Sequence, residues 1–106
     1  MSIPDYAIVA IGYESQAEWE GFFESLSHST IPPKSIVVVD NSPQPSLVQS
    51  RWRSLPLTVL HAPENPGYGA AANKGMAAIG DRVDWVVICN PDVRLFSSTV
   101  EDLLSE

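Results

Sequence analysis

An α/β fold is predicted, three-layered α/β/α around a mainly parallel sheet, and three observations predict it. Apolar runs of strand length alternate with helix-length stretches along the chain. The runs are nearly continuous in apolar residues, as strands covered on both faces require. Turn chemistry rich in Pro, Gly and Asn separates the segments, and such alternation favours parallel strands joined by right-handed crossovers.

The first strand is read over Tyr6–Ile11 and ends at Gly12. Ser15 stands three residues before Glu18, the spacing of a capping box. Trp19, Phe22, Phe23 and Leu26 then form one apolar helical stripe, closed by His28 and the Pro32-Pro33 pair. Ser35–Asp40 is the second strand, with a β-branched centre. Asn41–Pro45 is turn-forming, and Ser46–Arg53 is expected to form a short helix. Leu57–His61 is a third, shorter strand nearer an edge. The loop Ala62–Gly67 leads into a helix over Tyr68–Ile79 that Gly80 can cap. Asp84–Asn90 is the fourth strand, broken by Pro91-Asp92. Ser98 and Glu101 repeat the capping-box spacing before a last helix through Val100, Leu103 and Leu104. The expected sheet order is 3-2-1-4.

The 106 residues make one small domain, which buries roughly two-thirds of its unfolded surface. With 44% apolar and 18% charged residues the composition is globular. A formal net charge of −7 excludes nucleic acid as a partner, because counterion release needs clustered Lys and Arg. It leaves nucleotides open, since backbone N–H groups or a divalent cation can neutralise phosphates. The one cysteine, Cys89, lies in an apolar run and reads as a core thiol. No apolar stretch approaches the roughly 18 residues of a membrane span, and the first residues lack a basic, then apolar, leader. A cytoplasmic protein is expected, the full-length form at most at the inner face of the membrane.

In an open α/β sheet, ligands sit outside the carboxyl ends of the strands. The segments there are Gly12-Tyr13-Glu14, Asp40-Asn41-Ser42, the Pro63–Gly69 loop and Asn90-Pro91-Asp92. Asp40 either caps the following turn or accepts a hydrogen bond from a base or ribose. Gly67 and Gly69 permit close backbone approach ahead of a helix N-terminus suited to an anion. The run is not a P-loop, because Gly75 rather than Ser or Thr follows Lys74, and the dinucleotide pattern fails at Ala72. Its other reading is a tight loop and a small-residue helix packed closely on the sheet, in which the amide of Asn73 requires partners. Asn90-Pro91-Asp92 is either a plain turn or a place where Asp92 binds a hard cation together with diphosphate oxygens.

The remaining conspicuous residues read as structural. Trp19, Phe22 and Phe23 are core, and Trp85 opens a buried strand and packs. His28 and His61 lack metal-ligand spacing with each other and with Cys89. Arg51 and Arg53 belong on a solvated face, as do Glu101, Asp102 and Glu106.

In order, Ile36–Ser42, Glu64–Gly75 and Trp85–Val93 resemble the family 2 glycosyltransferases of GT-A fold, above all the rhamnosyltransferase-like group. The resemblance runs along the whole chain and matches the first half of a typical family domain. It implies a partial GT-A fold and a donor-nucleotide site in which Ala10, Ile11 and Tyr13 line the base pocket. It further implies that Asp40 binds base or ribose, and that Gly67, Gly69 and Asn73 shape the donor site. Asn90 would stand for the first Asp of the family's metal motif, with Asp92 as ligand to Mg²⁺ or Mn²⁺.

Two departures qualify that implication. Glu14 stands where the family usually has Asn, adding negative charge near a diphosphate. No residue matches the family's general base, which follows the metal motif, so no catalytic residue is assigned. The expected function is transfer of a sugar from a UDP- or dTDP-sugar to an acceptor hydroxyl, on a glycan or lipid-linked saccharide for the full-length protein. This chain, truncated relative to the family domain, would supply donor binding and be inactive alone. The alternative is a non-catalytic nucleotide-binding module or a homodimer formed through an uncovered face. A receiver-like signalling domain is disfavoured, because Glu14 stands alone where an acidic pair is needed.

Overall fold

The computed structural model describes residues 5–45, 52, 54–65, 67–80 and 83–92. The helices expected over Ser46–Arg53 (Trp52 apart) and beyond Ser98 lie outside the described residues. So do Arg51, Arg53, Glu101, Asp102 and Glu106.

The elements are β1 (Tyr6–Gly12), α1 (Gln16–Ser27), β2 (Ser35–Asp40), β3 (Leu57–His61), α2 (Tyr68–Ile79) and β4 (Trp85–Cys89). All pairings are parallel, and the sheet runs β3-β2-β1-β4, the order the alternation predicts. β1 is central and buried at every position. Its alternate residues feed two cores. Tyr6, Ile8 and Ala10 join Ile36 and Val38 beneath Trp19, Phe22, Phe23 and Leu26 of α1. Ala7, Val9 and Ile11 join Val37 and Val39 beneath Ala71, Ala72 and Ile79 of α2. The two helices therefore cover opposite faces, giving the three layers. No helix among the described residues is long and apolar enough to cross a membrane.

The aromatic stripe of α1 packs as one group. Trp19 stacks on Phe23 with centroids 5.7 Å apart, and Phe22 meets Phe23 edge-on at 5.5 Å. α2 approaches the sheet by a different device, a face of small residues. A Cβ on Gly75 would lie 2.4 Å from Cγ1 of Val9, so only glycine lets this helix sit so close. That confirms the small-residue packing of α2 and puts Asn73 on its exposed side, away from the alanine face.

Two local expectations need correction. Trp85 does not pack: it is 59% exposed, because β4 ends the described sheet and lacks a neighbour on its outer side. Ile88, on the other face of β4, is 38% exposed for the same reason. Ser15 does occupy the N-cap of α1, but its side chain makes no cap hydrogen bond. Its hydroxyl donates instead to the carbonyl of Tyr13 at 3.2 Å, so the capping box does not form.

Gly75→Ala is expected to lower stability by about 1–2 kcal/mol, the overpacking against Val9 exceeding the helix-propensity gain of alanine. Adding Val9→Ala should recover part of that loss. A urea-denaturation double-mutant cycle with purely additive effects would show that the contact is not the cause.

Candidate functional site

Parallel pairing puts every strand's carboxyl end on one edge, and the register keeps those ends level. Gly12 pairs with Asp40, and Ala10 with Cys89. The Asn41 N–H donates to the Gly12 carbonyl at 2.8 Å, which carries the pairing one residue past the strands. Over this edge opens a cleft of about 370 Å³ lined by Ile11, Gly12, Tyr13, Ser15, Asn41, Asn65, Tyr68, Asn90, Pro91 and Asp92. That size suits a small organic ligand.

The cleft is held in shape by Ser42. Its N–H donates to Asp40 Oδ1 at 3.1 Å, and its hydroxyl accepts the Glu14 N–H at 2.6 Å. Its carbonyl lies 2.8 Å from His61 Nε2. A carbonyl only accepts, so that ring nitrogen carries the proton. One buried serine thus ties the ends of β2 and β3 to the turn after β1. The turn needs tying, since Glu14 holds a left-handed φ of 48°, uncommon outside glycine. Gly12 is fixed by crowding: a Cβ there would meet the Trp19 ring at 2.6 Å and Ser15 Oγ at 3.0 Å.

Of the residues singled out from the sequence, Ile11, Tyr13, Asn90 and Asp92 come together on the cleft. Ala10 lies in the α1-side core, one residue below the rim. Asp40 is 1% exposed and does not line the cleft; its carboxylate holds the following turn, the capping role open to it from the sequence. Gly67 takes a φ of 95° at the N-cap of α2, and Gly69 stands in the first turn with open space beside it. Neither glycine lines the cleft, nor does Asn73. Lys74 forms an ion pair with Glu64, tying α2 to the loop before it. Glu14 is exposed and is not among the residues that line the cleft, although Tyr13 and Ser15 on either side of it are.

Reading strand ends found the right segments but not every residue in them. Asn41, Asn65 and Tyr68 line the cleft and were not singled out. Asn65 carried a signal, being an Asn in a turn whose φ is 46°, a conformation Asn tolerates. Tyr13 and Tyr68 are both half-exposed, at 52% and 51%, and supply aromatic surface at the cleft.

Among the described lining residues Asp92 is the one carboxylate, and no group of three or more His, Cys, Asp or Glu is gathered for a metal. The oxygen donors present include Asp92 and the amides of Asn41, Asn65 and Asn90. That hard set fits a Mg²⁺-type cation that takes most of its ligands from phosphate and water, and does not fit a closed structural site.

A model of the family described as Glycosyl transferase family 2 matches residues 8–106. The chain belongs to that family. N-acetylglucosaminyl-diphospho-decaprenol L-rhamnosyltransferase of Mycobacterium tuberculosis is 31% identical over 107 aligned residues, covering 92% of this chain and 35% of that protein. The same relative from strain H37Rv matches equally. The chain therefore spans about a third of the length of the curated relatives it matches. Crystal structures of S. aureus TarS superpose on 95% of this chain, with a TM-score of 0.78 at 20% identity for TarS 1–349 and 0.69 at 19% for the longer chain. This chain covers 31% and 19% of those two. Such likeness shows the fold, a partial GT-A α/β arrangement, and the family match places the chain among the family 2 glycosyltransferases.

Cys89, at the end of β4, is partly buried against the α1-side core. Burial, and secondarily the negative charge of Asp92, push its thiol up to about 11. At pH 7.5 its alkylation by iodoacetamide is expected to be roughly 300-fold slower than that of a free cysteine, and to reach the free rate in urea. Between about pH 8.5 and 11 the unfolded thiol ionises while the folded one does not, so stability should fall as pH rises through that window. Fast alkylation of the folded chain at pH 7.5 would contradict this.

Proposed function

We propose that residues 1–106 form a donor-binding unit that holds the nucleoside diphosphate of a UDP- or dTDP-sugar, for transfer of the sugar to an acceptor hydroxyl. The observation that carries the reading is the cleft at the carboxyl edge of the sheet, with aromatic surface from Tyr13 and Tyr68, amides at Asn41, Asn65 and Asn90, and one carboxylate at Asp92. Aromatic rings suit a base, and a carboxylate beside an amide suits a cation-bridged diphosphate.

In this reading the nucleoside lies toward the ends of β1 and β2 and the diphosphate toward Asn90 and Asp92. Ile11 and Tyr13 line the base end, with Ala10 supporting them from below. Asp40 acts through the turn it holds. Gly67, Gly69 and Asn73 act through the loop and helix that carry Asn65 and Tyr68. Asp92 is the residue that would hold Mg²⁺ or Mn²⁺, which supplies neutralisation of the diphosphate leaving group. No described residue is assigned as the base for the acceptor hydroxyl, so the chain's part is binding rather than turnover. The M. tuberculosis relative is named for a lipid-linked saccharide acceptor, and an acceptor of that class, met from the cytoplasm, is proposed for the full-length protein. The single free thiol suits that reducing compartment.

Isothermal titration of the 106-residue chain with UDP or dTDP in Mn²⁺ tests this. Binding in the millimolar range or tighter is expected, with nucleotide release from the donor sugar staying at background. Asp92→Ala should weaken binding in Mn²⁺ by about tenfold, the loss of one charge-assisted contact. A folded sample that gives no heat at millimolar nucleotide would overturn the proposal.

A further inference from the structure

Ser42 engages three partners, and they divide between its backbone and its side chain. The N–H holds Asp40 Oδ1, and the carbonyl accepts from His61 Nε2. Both contacts would survive in an alanine. The hydroxyl, buried with the rest of the residue at 1% exposure, takes the Glu14 N–H at 2.6 Å. A buried hydroxyl is costly unless it is bonded, and the bond it makes falls on a stretch of cleft wall that needs holding. At one end of that stretch the Gly12 carbonyl is tied to the Asn41 N–H. At the other, Ser15 starts α1, its carbonyl accepting the Glu18 N–H. Tyr13 and Glu14 lie between these anchors. Tyr13 is half-exposed, so packing does not fix its ring. Glu14 holds the left-handed φ of 48°, which a residue with a side chain seldom keeps unaided.

We propose that Ser42 is a positioning residue for the donor site: by holding the Glu14 N–H, its hydroxyl keeps the turn after β1 bent with Tyr13 on the cleft. The proposal rests on the donor-site reading and adds to it a residue that touches no ligand. Ser42 does not line the cleft, whereas Tyr13 and Ser15, on either side of Glu14, do. Two backbone states compete for the turn. In the bent state Glu14 is left-handed and its N–H meets the hydroxyl. In the relaxed state Glu14 returns to an ordinary α or β conformation, and that bond is lost. Both ends of the turn are anchored, so a change of φ at Glu14 must be taken up at Tyr13, and it carries the ring off the cleft. A ligand that uses the ring then meets a competent cleft only in the bent fraction, and its apparent affinity falls in proportion. Ser42 acts on the ligand through that fraction alone.

Titration of the 106-residue chain with UDP in Mn²⁺, together with hydrogen exchange at the Glu14 amide, reads this out. Ser42→Ala leaves the backbone contacts to Asp40 and His61 in place. It should weaken UDP binding about fivefold, the worth of one hydrogen bond to a buried hydroxyl, while the Glu14 amide loses its protection. Ser42→Cys, close in size but a weak acceptor, should do the same, which separates the bond from the volume. Glycine takes a left-handed φ freely, so adding Glu14→Gly to Ser42→Ala should restore binding to within about twofold of wild type. Glu14→Gln removes the same charge but keeps the strain, and in the same background it should restore nothing. A serine that served stability alone would lower Tm without this split between the two double variants. Equal rescue by Gln and Gly would overturn the proposal, because loss of charge rather than relief of the turn would then explain it. Unchanged UDP affinity in a folded Ser42→Ala or Ser42→Cys chain would overturn it as well. Failure of the wild-type chain to bind UDP would instead sink the donor-site reading itself.

Discussion

The structure depends on β1 being paired in parallel on both sides while buried on both faces. A central parallel strand has no polar side, so each residue from Tyr6 to Gly12 must be apolar or small, and its alternation supplies both cores at once. The same pairing levels the ends of β2 and β4 with its own end, through Gly12 against Asp40 and Ala10 against Cys89. The cleft is a consequence of that levelling. Four chain segments leave the sheet at one edge, and the space where they diverge is what a ligand can fill.

The two helices meet the sheet on different terms, and the difference bears on the cleft. α1 packs through large rings, and Trp19 reaches under Gly12, so its bulk supports the floor of the β1 turn. α2 packs through Ala71, Ala72 and Gly75, with Gly75 against Val9. Close packing brings the start of that helix, with Tyr68 and the preceding Asn65, to the cleft. The glycine-rich loop thus contributes to the site by where it delivers its neighbours. That explains why Gly67, Gly69 and Asn73 stand off the cleft although the segment as a whole drew attention in the sequence.

Element order, strand order and the ligand-bearing edge were legible because they follow from periodicity and turn chemistry, which are local. Tyr6–Ile11 and Ser35–Asp40 read as strands from their apolar runs, and both form. Trp85 misled because the same apolar run serves a central or an edge strand, and only the number of neighbours decides burial. Ser15 misled because a hydroxyl has several partners in reach, and a left-handed residue just before the helix turned it toward Tyr13. At the site, Asp40 stood out for its charge, whereas its fully buried setting gives the carboxylate a structural task. Asn41, neutral and in a turn, drew no attention as an individual residue, because an unpaired buried oxygen can be recognised only once its surroundings are known.

The hydrogen bonds of Ser42 link these levels. A serine that engages Asp40, Glu14 and His61 together fixes the turn around Asn41, whose backbone N–H is bonded to the Gly12 carbonyl while its Oδ1 is buried without a partner. Stability is given up at that atom, and the neighbouring bonds offset it. Such an arrangement is stable to folding although one buried oxygen stays unpaired. It also accounts for the strained φ of Glu14. The turn after β1 is bent to reach the Ser42 hydroxyl, and that bend lays Tyr13 along the cleft instead of continuing the strand.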